Sequence, residues 1–170
     1  QRQFQCFPLP AYIWRANGDD FTLIGYNRAA QKFTEGTIEK IQGSSARKLY
    51  SDDPAVYGAL VRAYAERTAF VIEGPYQMRV SGLMKQLRVT YSYAPDEYVI
   101  VYTEDYTDRH NAMETLKASK SRLRASLDSS QDAVFILEAV VDSSGKTADF
   151  QVIDRNLAAV LPTSGGVSDQ

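Results

Sequence analysis

The sequence predicts an α+β fold in which short helices accompany an antiparallel sheet. Two observations lead to this prediction. The first hundred or so residues begin and end with runs rich in aromatic and β-branched residues, and segments with helical patterns lie between these runs. The turns between successive strand-like runs are short, and short connections join antiparallel neighbours. The predicted order of elements is therefore β-β-α-α-α-β-β-β.

The composition excludes several classes of function. The 170 residues are 44% hydrophobic and 24% charged, with a net charge of −2, which is typical of a globular chain. No block of like charges is present, so neither a nucleic-acid surface nor a polybasic membrane anchor is expected. No apolar run approaches the roughly 20 residues that span a bilayer. The single cysteine, Cys6, fits a reducing compartment, and we expect a cytoplasmic location.

The first predicted strands form a hairpin. Residues 1–10 contain two prolines, which disfavour a regular helix and predict an extended cap. Residues 12–15 and 21–26 are strand-like, and Asn17-Gly18 is a strong turn signal between them. Residues 28–33 then change to a helical composition, so a short helix is expected directly after the hairpin.

Further helices are predicted before the remaining strands. Two short helical turns follow the first helix, and the second has Ser44 and Ser45 as possible caps and ends near Leu49. Asp53-Pro54 supplies an N-cap and a first-turn proline for a longer helix over residues 54–66. Apolar residues recur at helical spacing along this segment, which makes it the clearest helix of the region.

Three strand-like runs complete the predicted sheet, at residues 69–80, 83–93 and 98–104. In the middle run, Leu87, Val89 and Tyr91 alternate with polar residues, which predicts one buried face and one wetter face. Because short turns separate the three runs, they are expected to form an antiparallel meander.

A long helix is predicted over residues 107–127. Apolar residues recur there at alternating spacings of three and four, with one polar position, which is the pattern of a coiled-coil seam. The seam consists of Met113, Leu116, Lys120, Leu123 and Leu127. A single helix packed on its own domain would show a similar stripe. The other faces are strongly polar, so we favour an intermolecular coiled coil and a homodimer.

A repeat relates the two ends of the chain. Residues 21–30 read F-T-L-I-G-Y-N-R-A-A and residues 150–159 read F-Q-V-I-D-R-N-L-A-A, and each copy follows a strand-like run and a polar turn. A repeat at this distance predicts duplicated domains rather than a solenoid. The sequence begins at Gln1 and stops within the second copy, so we expect a piece of a longer protein, and a membrane anchor elsewhere in it stays open.

Taken together, these features resemble a PAS domain. The matching motifs are Asn27-Arg-Ala-Ala30 after the hairpin, Gly43, the Asp53-Pro54 helix, the meander and Asp105-Tyr-Thr107. The last of these is similar to the D-I-T motif that joins the final strand of the family to an output helix, with Tyr106 replacing an aliphatic residue.

The resemblance divides the chain into four parts. Residues 1–10 are an N-terminal cap, 11–106 the PAS domain, and 107–127 the connecting helix. Residues 128–170 are the opening of a second, incomplete PAS unit, whose residues 162–170 are expected to be mobile. Two strands and about forty residues cannot build an independent core.

The resemblance also implies a topology and a class of function. It implies a five-stranded sheet of order 2-1-5-4-3 with short helices on one face. Members of the family sense small ligands, light, redox state or oxygen, or act as ligand-free dimerisation and relay modules. They act upstream of histidine kinases, diguanylate cyclases, phosphodiesterases or transcription factors. Asp105 and Thr107 would then transmit the signal to the helix.

A ligand pocket, where the family has one, lies between sheet and helices. The residues expected there are Trp14, Tyr26, Asn27, Leu49, Tyr57, Leu60, Leu87, Val89 and Tyr91. Rings and hydroxyls would suit an aromatic or amphipathic ligand. The same side chains could instead fill the space themselves. For Asn27 a structural role is favoured, because Asn at a strand-to-helix junction readily bonds to local backbone.

Haem and thiol-linked flavin are disfavoured as cofactors. Haem-binding members of the family carry the axial histidine on the long helix, here residues 54–66, whereas the only histidine, His110, follows the sheet. Photoactive flavin members need a cysteine in the early helices, whereas Cys6 precedes the first strand. A flavin held without a thiol stays open, and the cofactor is otherwise unknown.

We expect no enzymatic activity in this part of the protein. One histidine and one cysteine assemble neither a metal cluster nor a nucleophile set, and the carboxylates are scattered. His110 lacks the following acidic residue that is usual at a phosphoacceptor. A small α+β enzyme is therefore disfavoured. The leading interpretation is a dimeric sensor or relay module, and the alternative is a ligand-free dimerisation scaffold.

Overall fold

A computed structural model describes residues 2–79 and 81–159. The chain divides into two compact units, and the boundary falls between His110 and Asn111. We call these the first and the second unit. The predicted mobile segment, residues 162–170, lies outside the described residues.

The first unit begins with a short helix and a hairpin. Helix α1 spans Arg2–Gln5, strand β1 Ala11–Asn17 and strand β2 Asp20–Tyr26. The expectation of an extended cap over residues 1–10 is therefore wrong for its first part. The prolines stand at positions 8 and 10, and a proline disturbs only the turn that precedes it. They leave the helix free to form ahead of them.

Four helices follow the hairpin. They are α2 (Arg28–Phe33), α3 (Ile38–Ile41), α4 (Ala46–Leu49) and α5 (Pro54–Glu66). The Ser45 side chain caps α4 by accepting a hydrogen bond from the backbone N–H of Lys48. Asp53 occupies the N-cap position of α5, but its side chain forms no capping hydrogen bond. Pro54 starts this helix with its φ angle already fixed.

Three strands complete a single sheet, which has the order β2-β1-β5-β4-β3. Strand β3 spans Ala69–Gln77, β4 spans Met84–Ala94 and β5 spans Tyr98–Asp105. Every pairing is antiparallel, and Trp14 on β1 pairs with both Leu23 on β2 and Val99 on β5. The predicted fold class and strand order are confirmed.

The core lies between one face of this sheet and the helices. Its large members are Trp14, Phe21 and Leu23 from the hairpin, Ile38 and Leu60 from the helices, and Tyr91, Val99 and Val101 from the meander. Small residues of α4 and α5, such as Ala46 and Ala63, let the helices approach the sheet closely. The sheet face that packs on the helices is the one on which a cavity can form.

One uninterrupted helix, α6, spans Thr107–Asp128. It begins in the first unit, and its residues from 111 onward belong to the second. Every residue from 111 to 126 is exposed, including four of the five members of the predicted seam, Met113, Leu116, Lys120 and Leu123. No helix within the described residues is long and apolar enough to cross a bilayer.

The second unit contains a two-stranded hairpin. Strand β6 spans Phe135–Val141, strand β7 spans Thr147–Arg155, and a single 3₁₀ turn follows at Leu157–Ala159. All residues of both strands are exposed, so the apolar side chains of this hairpin have no core around them within the described residues.

Candidate functional site

A cavity of about 190 Å³ lies between the sheet and the helices of the first unit. Strands β1, β3, β4 and β5 and helices α2 to α5 contribute to its wall. The apolar lining consists of Trp14, Phe33, Ile38, Ile41, Leu49, Val56, Leu60, Met78, Leu87, Val89 and Val101. Trp14 is the only tryptophan of the chain and is 3% exposed. The cavity is therefore a mainly apolar site with aromatic surfaces.

Several hydroxyl groups interrupt this apolar wall. They belong to Tyr12, Thr34, Thr37, Tyr50, Tyr76, Tyr91 and Thr103. Burial raises the pKa of Tyr50, and the nearby hydroxyls of Tyr76, Tyr91 and Tyr12 raise this pKa further. Burial also raises the pKa of Tyr12 and of Tyr91. These phenols therefore stay protonated and can both donate and accept hydrogen bonds.

Arg79 is the one charged residue in the described wall of the cavity. Its guanidinium forms a bidentate ion pair with Asp52, with N–O distances of 2.8 and 3.1 Å. It also lies over the ring of Tyr50, 5.4 Å from the centroid. The Arg79 side chain is 38% exposed, so it reaches from the cavity to solvent. The Arg79–Asp52 pair thus connects the turn after β3 to the loop before α5 at the edge of the cavity.

Six of the nine residues expected in a pocket lie around this cavity. They are Trp14, Leu49, Leu60, Leu87, Val89 and Tyr91. Their role in binding a ligand stays a prediction.

Tyr26 and Tyr57 do not line the cavity. Tyr26 ends the edge strand β2 and borders a separate surface hollow that also contains Cys6. Tyr57 follows Val56 on α5 and packs against Phe21, with 6.5 Å between ring centres, outside the cavity. Its hydroxyl donates a hydrogen bond to the carbonyl of Asp19 at 2.6 Å and accepts one from Arg47.

Asn27 is fully buried, but at the end of the hairpin rather than in the cavity. Its Oδ1 accepts hydrogen bonds from the backbone N–H groups of Ala11 (3.0 Å) and Ala30 (2.9 Å). Its Nδ2 donates to the carbonyls of Phe7 (3.1 Å) and Leu9 (2.8 Å). Four local backbone bonds leave this amide no capacity for a ligand, and its placement in the pocket is corrected to a structural role.

Sequence reasoning missed several lining residues, and some had a usable signal. Tyr12 stands two positions before Trp14 on one strand, and Thr103 two positions after Val101, so strand alternation would have placed both on the inner face. Tyr50 and Arg79 lie just outside regular elements. No periodicity indicates the direction of a side chain at such positions.

A second polar cluster joins the sheet to α6. The Thr107 hydroxyl accepts a hydrogen bond from the backbone N–H of Gln86 (2.9 Å) and donates one to the Asp105 carboxylate. The N–H of Tyr106 donates to the carbonyl of Gln86 at 3.0 Å. Asp105 caps the start of α6, because its carboxylate accepts a hydrogen bond from the backbone N–H of Thr107 at 3.0 Å. We call Asp105, Tyr106, Thr107 and Gln86 the junction.

Lys85 connects the junction to the cavity. Its ammonium group lies 2.7 Å from Asp105 Oδ2 and 5.1 Å from the centre of the Phe33 ring, and Phe33 lines the cavity. Burial alone would raise the pKa of Asp105, but the hydrogen bonds from Lys85 and Thr107 outweigh it and lower this pKa. The junction is therefore charged and tightly bonded at neutral pH.

His110 packs edge-on against the Tyr106 ring, with 6.0 Å between ring centres, and does not line the cavity. Cys6 is exposed. Within the described ranges, no group of three or more metal-ligating side chains comes together.

The end of the second hairpin repeats the geometry of the first. Asn156 Oδ1 accepts hydrogen bonds from the backbone N–H groups of Val134 (2.9 Å) and Ala159 (3.1 Å). Its Nδ2 donates to the carbonyls of Leu127 (2.8 Å) and Asp132 (2.9 Å). The strand register of the first hairpin shifts between Ile13 and Trp14, and that of the second shifts at the corresponding step, between Ile136 and Leu137. The second hairpin has a further shift between Val140 and Val141.

Solved structures share the fold of the first unit. An RNA-binding light-oxygen-voltage receptor is 19% identical over 73% of this chain, with a TM-score of 0.56. This chain spans only 36% of that receptor. The likeness shows the fold and nothing further.

Two shorter solved domains are also similar. The LOV domain of the blue-light activated histidine kinase EL346 of Erythrobacter litoralis is 19% identical, with a TM-score of 0.48, over 59% of this chain and 98% of its own. The PAS domain of BvgS from Bordetella pertussis is also 19% identical, with a TM-score of 0.43, over 68% of this chain and 86% of its own. No protein-family model matches the sequence, and no curated protein matches it.

Proposed function

Because its first unit has the PAS fold, we propose that this chain is a sensor and relay module of a bacterial-type signalling protein. A small ligand occupies the cavity, and the change passes through α6 to an output domain, either a histidine kinase or a diguanylate cyclase or phosphodiesterase. The chain itself carries no catalysis in this proposal, because the described cavity wall contains no histidine, cysteine or carboxylate. The single cysteine supports a cytoplasmic location.

The continuous contact between cavity and junction is the observation that carries this proposal. Phe33 belongs to the wall of the cavity, and the Lys85 ammonium group lies over its ring. Lys85 in turn forms an ion pair with Asp105, the residue that caps α6. A ligand that moves Phe33 changes the surroundings of the Lys85 ammonium. Such a change alters the ion pair that fixes the first turn of the helix, so ligand binding shifts the balance between two arrangements of the junction.

The seam on α6 supports the proposed coiled coil. Leu116 is 66% exposed and Met113 61% exposed, although both are large and apolar. A homodimer through this helix would cover these side chains in pairs, and a change at the first turn would then reach both helices.

The equivalence of Asn156 to Asn27 supports a second PAS unit that starts in residues 128–170. Phe150 on β7 corresponds to Phe21 in the repeat, and in each case its N–H donates to the preceding aspartate at 2.7 Å. Phe21 is buried in the first unit, whereas Phe150 is 62% exposed. The second hairpin thus has the local geometry of the first without its helices.

Benzene tests the proposal, because apolar cavities of this size bind it. Binding of benzene in the cavity should shift the indole N–H resonance of Trp14 and change the rate of hydrogen exchange at the Tyr106 amide. In Lys85→Met, which keeps the aliphatic stem but removes the charge, benzene should still enter and leave exchange at Tyr106 unchanged. Val89→Phe, which fills the cavity, should abolish both responses.

Two outcomes contradict the proposal in different ways. Entry of benzene without a response at Tyr106 removes the relay. Absence of any shift at Trp14 removes the ligand site and favours the ligand-free dimerisation scaffold. Mass spectrometry of the purified protein, with an absorption spectrum for flavin or haem, tests the scaffold independently, because a copurifying small molecule contradicts it.

A further inference from the structure

We propose that the cavity of the first unit selects a neutral, one-ring aromatic compound with a hydroxyl group, that is, a simple phenol. This inference rests on the proposed sensing function and names the chemical class of its ligand. Four properties of the cavity lead to it: its volume, its aromatic wall, its hydroxyl groups and its charge.

The volume limits the ligand to about one ring. The cavity of about 190 Å³ is larger than the roughly 150 Å³ apolar cavity that binds benzene. It is smaller than the range of about 300–1,000 Å³ that is typical of sites for drug-sized ligands. This volume matches a single substituted ring more closely than a three-ring cofactor such as flavin.

The wall presents ring surfaces suited to an aromatic ligand. The Trp14 and Tyr50 rings lie 5.9 Å apart, tilted by 51°, and both border the cavity. Phe33 adds a third ring from α2. Edge-to-face and offset contacts with such rings favour an aromatic ligand over an aliphatic one of the same size.

The hydroxyl groups add a polar region to this aromatic wall. Tyr12, Tyr50, Tyr76 and Tyr91 all line the cavity. A protonated phenol donates one hydrogen bond and accepts two, so the group offers both a donor and an acceptor to a hydroxyl on the ligand. A purely hydrocarbon ligand would take up the same space but satisfy none of these groups.

The charge of the wall favours a neutral ligand. Arg79 is the only cation in the described wall, and Asp52 already binds both of its terminal nitrogens. A carboxylate on the ligand would have to displace Asp52 and lose its own hydration. An ammonium group would meet no carboxylate among the described lining residues. A phenol that stays protonated carries no charge, so it needs neither to displace Asp52 nor to find a carboxylate partner.

Phenol and toluene form a matched pair for the test, since a hydroxyl replaces a methyl group of similar size. The full chain is titrated with phenol, toluene and benzoate while the indole N–H resonance of Trp14 is followed. We expect phenol to bind about tenfold more tightly than toluene, the factor that one net hydrogen bond supplies. Benzoate should cause no shift.

Tyr50→Phe removes one hydroxyl and keeps the ring. This variant should bind phenol and toluene with nearly equal affinity. Tyr98→Phe is the control, because Tyr98 is a tyrosine of β5 that does not line the cavity. It should keep the wild-type preference for phenol.

The outcomes separate this inference from the function on which it rests. The proposed ligand class is overturned if the wild-type protein binds phenol and toluene with equal affinity, or if it binds benzoate saturably. In either case the sensing function stands as long as benzene binds in the cavity. An unchanged preference in Tyr50→Phe also overturns the role of the hydroxyl group. If none of the compounds, benzene included, shifts the Trp14 resonance, the ligand class and the sensing function both fail.

Discussion

Asn27 and Asn156 form equivalent sets of four side-chain hydrogen bonds to backbone groups, one at the end of each hairpin. Each amide joins the end of a hairpin to the chain segment that precedes it and to the turn that follows. The two sites differ in their surroundings: the first hairpin belongs to a five-stranded sheet that packs on helices, whereas every residue of β6 and β7 is exposed within the described residues. The same local device is therefore present in a complete unit and in an uncovered one.

Asn27→Ala should lower the free energy of unfolding of the first unit by about 2–4 kcal/mol, because it leaves buried N–H and carbonyl groups without partners. The matched variant Asn156→Ala should change this quantity by less than about 0.5 kcal/mol. Urea unfolding followed by Trp14 fluorescence measures it, since the only tryptophan lies in the first unit. Equal effects of the two substitutions would contradict the separation of the units.

Thr107→Val should destabilise the first unit by about 1–3 kcal/mol, because the substitution keeps the shape but leaves the N–H of Gln86 without its acceptor. Thr107→Ser restores the hydroxyl and should recover most of the loss. The same urea titration measures both. A valine variant as stable as wild type would show that water replaces the hydroxyl at no cost.

The Asp105 carboxylate should make the free energy of unfolding of the first unit depend on pH. Its pKa is lowered in the folded protein, so the unfolded chain takes up a proton at a higher pH than the folded one. The stabilisation is complete above about pH 4, near the pKa of a free carboxyl, and is lost as the pH falls below that value.

Asp105→Asn should therefore be less stable than wild type at pH 7, and the difference should shrink as the pH falls toward 3. Asp96→Asn serves as control, because Asp96 lies exposed in the turn between β4 and β5. Urea unfolding at a series of pH values gives both curves. A difference that stays constant with pH would mean that the charge of Asp105 does not contribute.

Leu116→Glu should weaken a dimer that forms through α6. It places a charge in the centre of the seam and should raise the dimer dissociation constant at least about tenfold, without unfolding the first unit. Ala118→Glu is the matched control, since position 118 faces away from the seam in the heptad. Sedimentation equilibrium measures the constant, and unchanged dimerisation of Leu116→Glu refutes the helix as the dimer element.

Local signals in the sequence account for the success of the fold prediction. The Asn17-Gly18 turn, the Asp53-Pro54 helix start and the alternation of Leu87, Val89 and Tyr91 each depend on neighbours close in sequence. The sheet order depends on which strands meet across long distances, and only the resemblance to a known family predicted it. Helix α1 was not predicted, because Pro8 and Pro10 were expected to disfavour a helix throughout residues 1–10, whereas a proline disturbs only the turn that precedes it.

The site was less predictable than the fold. Leu60 and Val89 follow from the inner faces of their elements, but Arg79 enters the wall from a turn, and Tyr50 from the residue after α4. The direction of such side chains depends on tertiary contacts, here the ion pair of Arg79 with Asp52. Tyr57 was misplaced because one residue along a helix changes direction by about 100°.

The uncovered second hairpin has a practical consequence for handling the protein. Leu137, Val152 and Phe150 expose about half or more of their surface on strands β6 and β7. Apolar strands of this kind pair with their counterparts in other molecules when protein is concentrated. We therefore expect the second hairpin to promote aggregation at high protein concentration, and polar replacements at these three positions are the first to try when preparing samples for crystallisation.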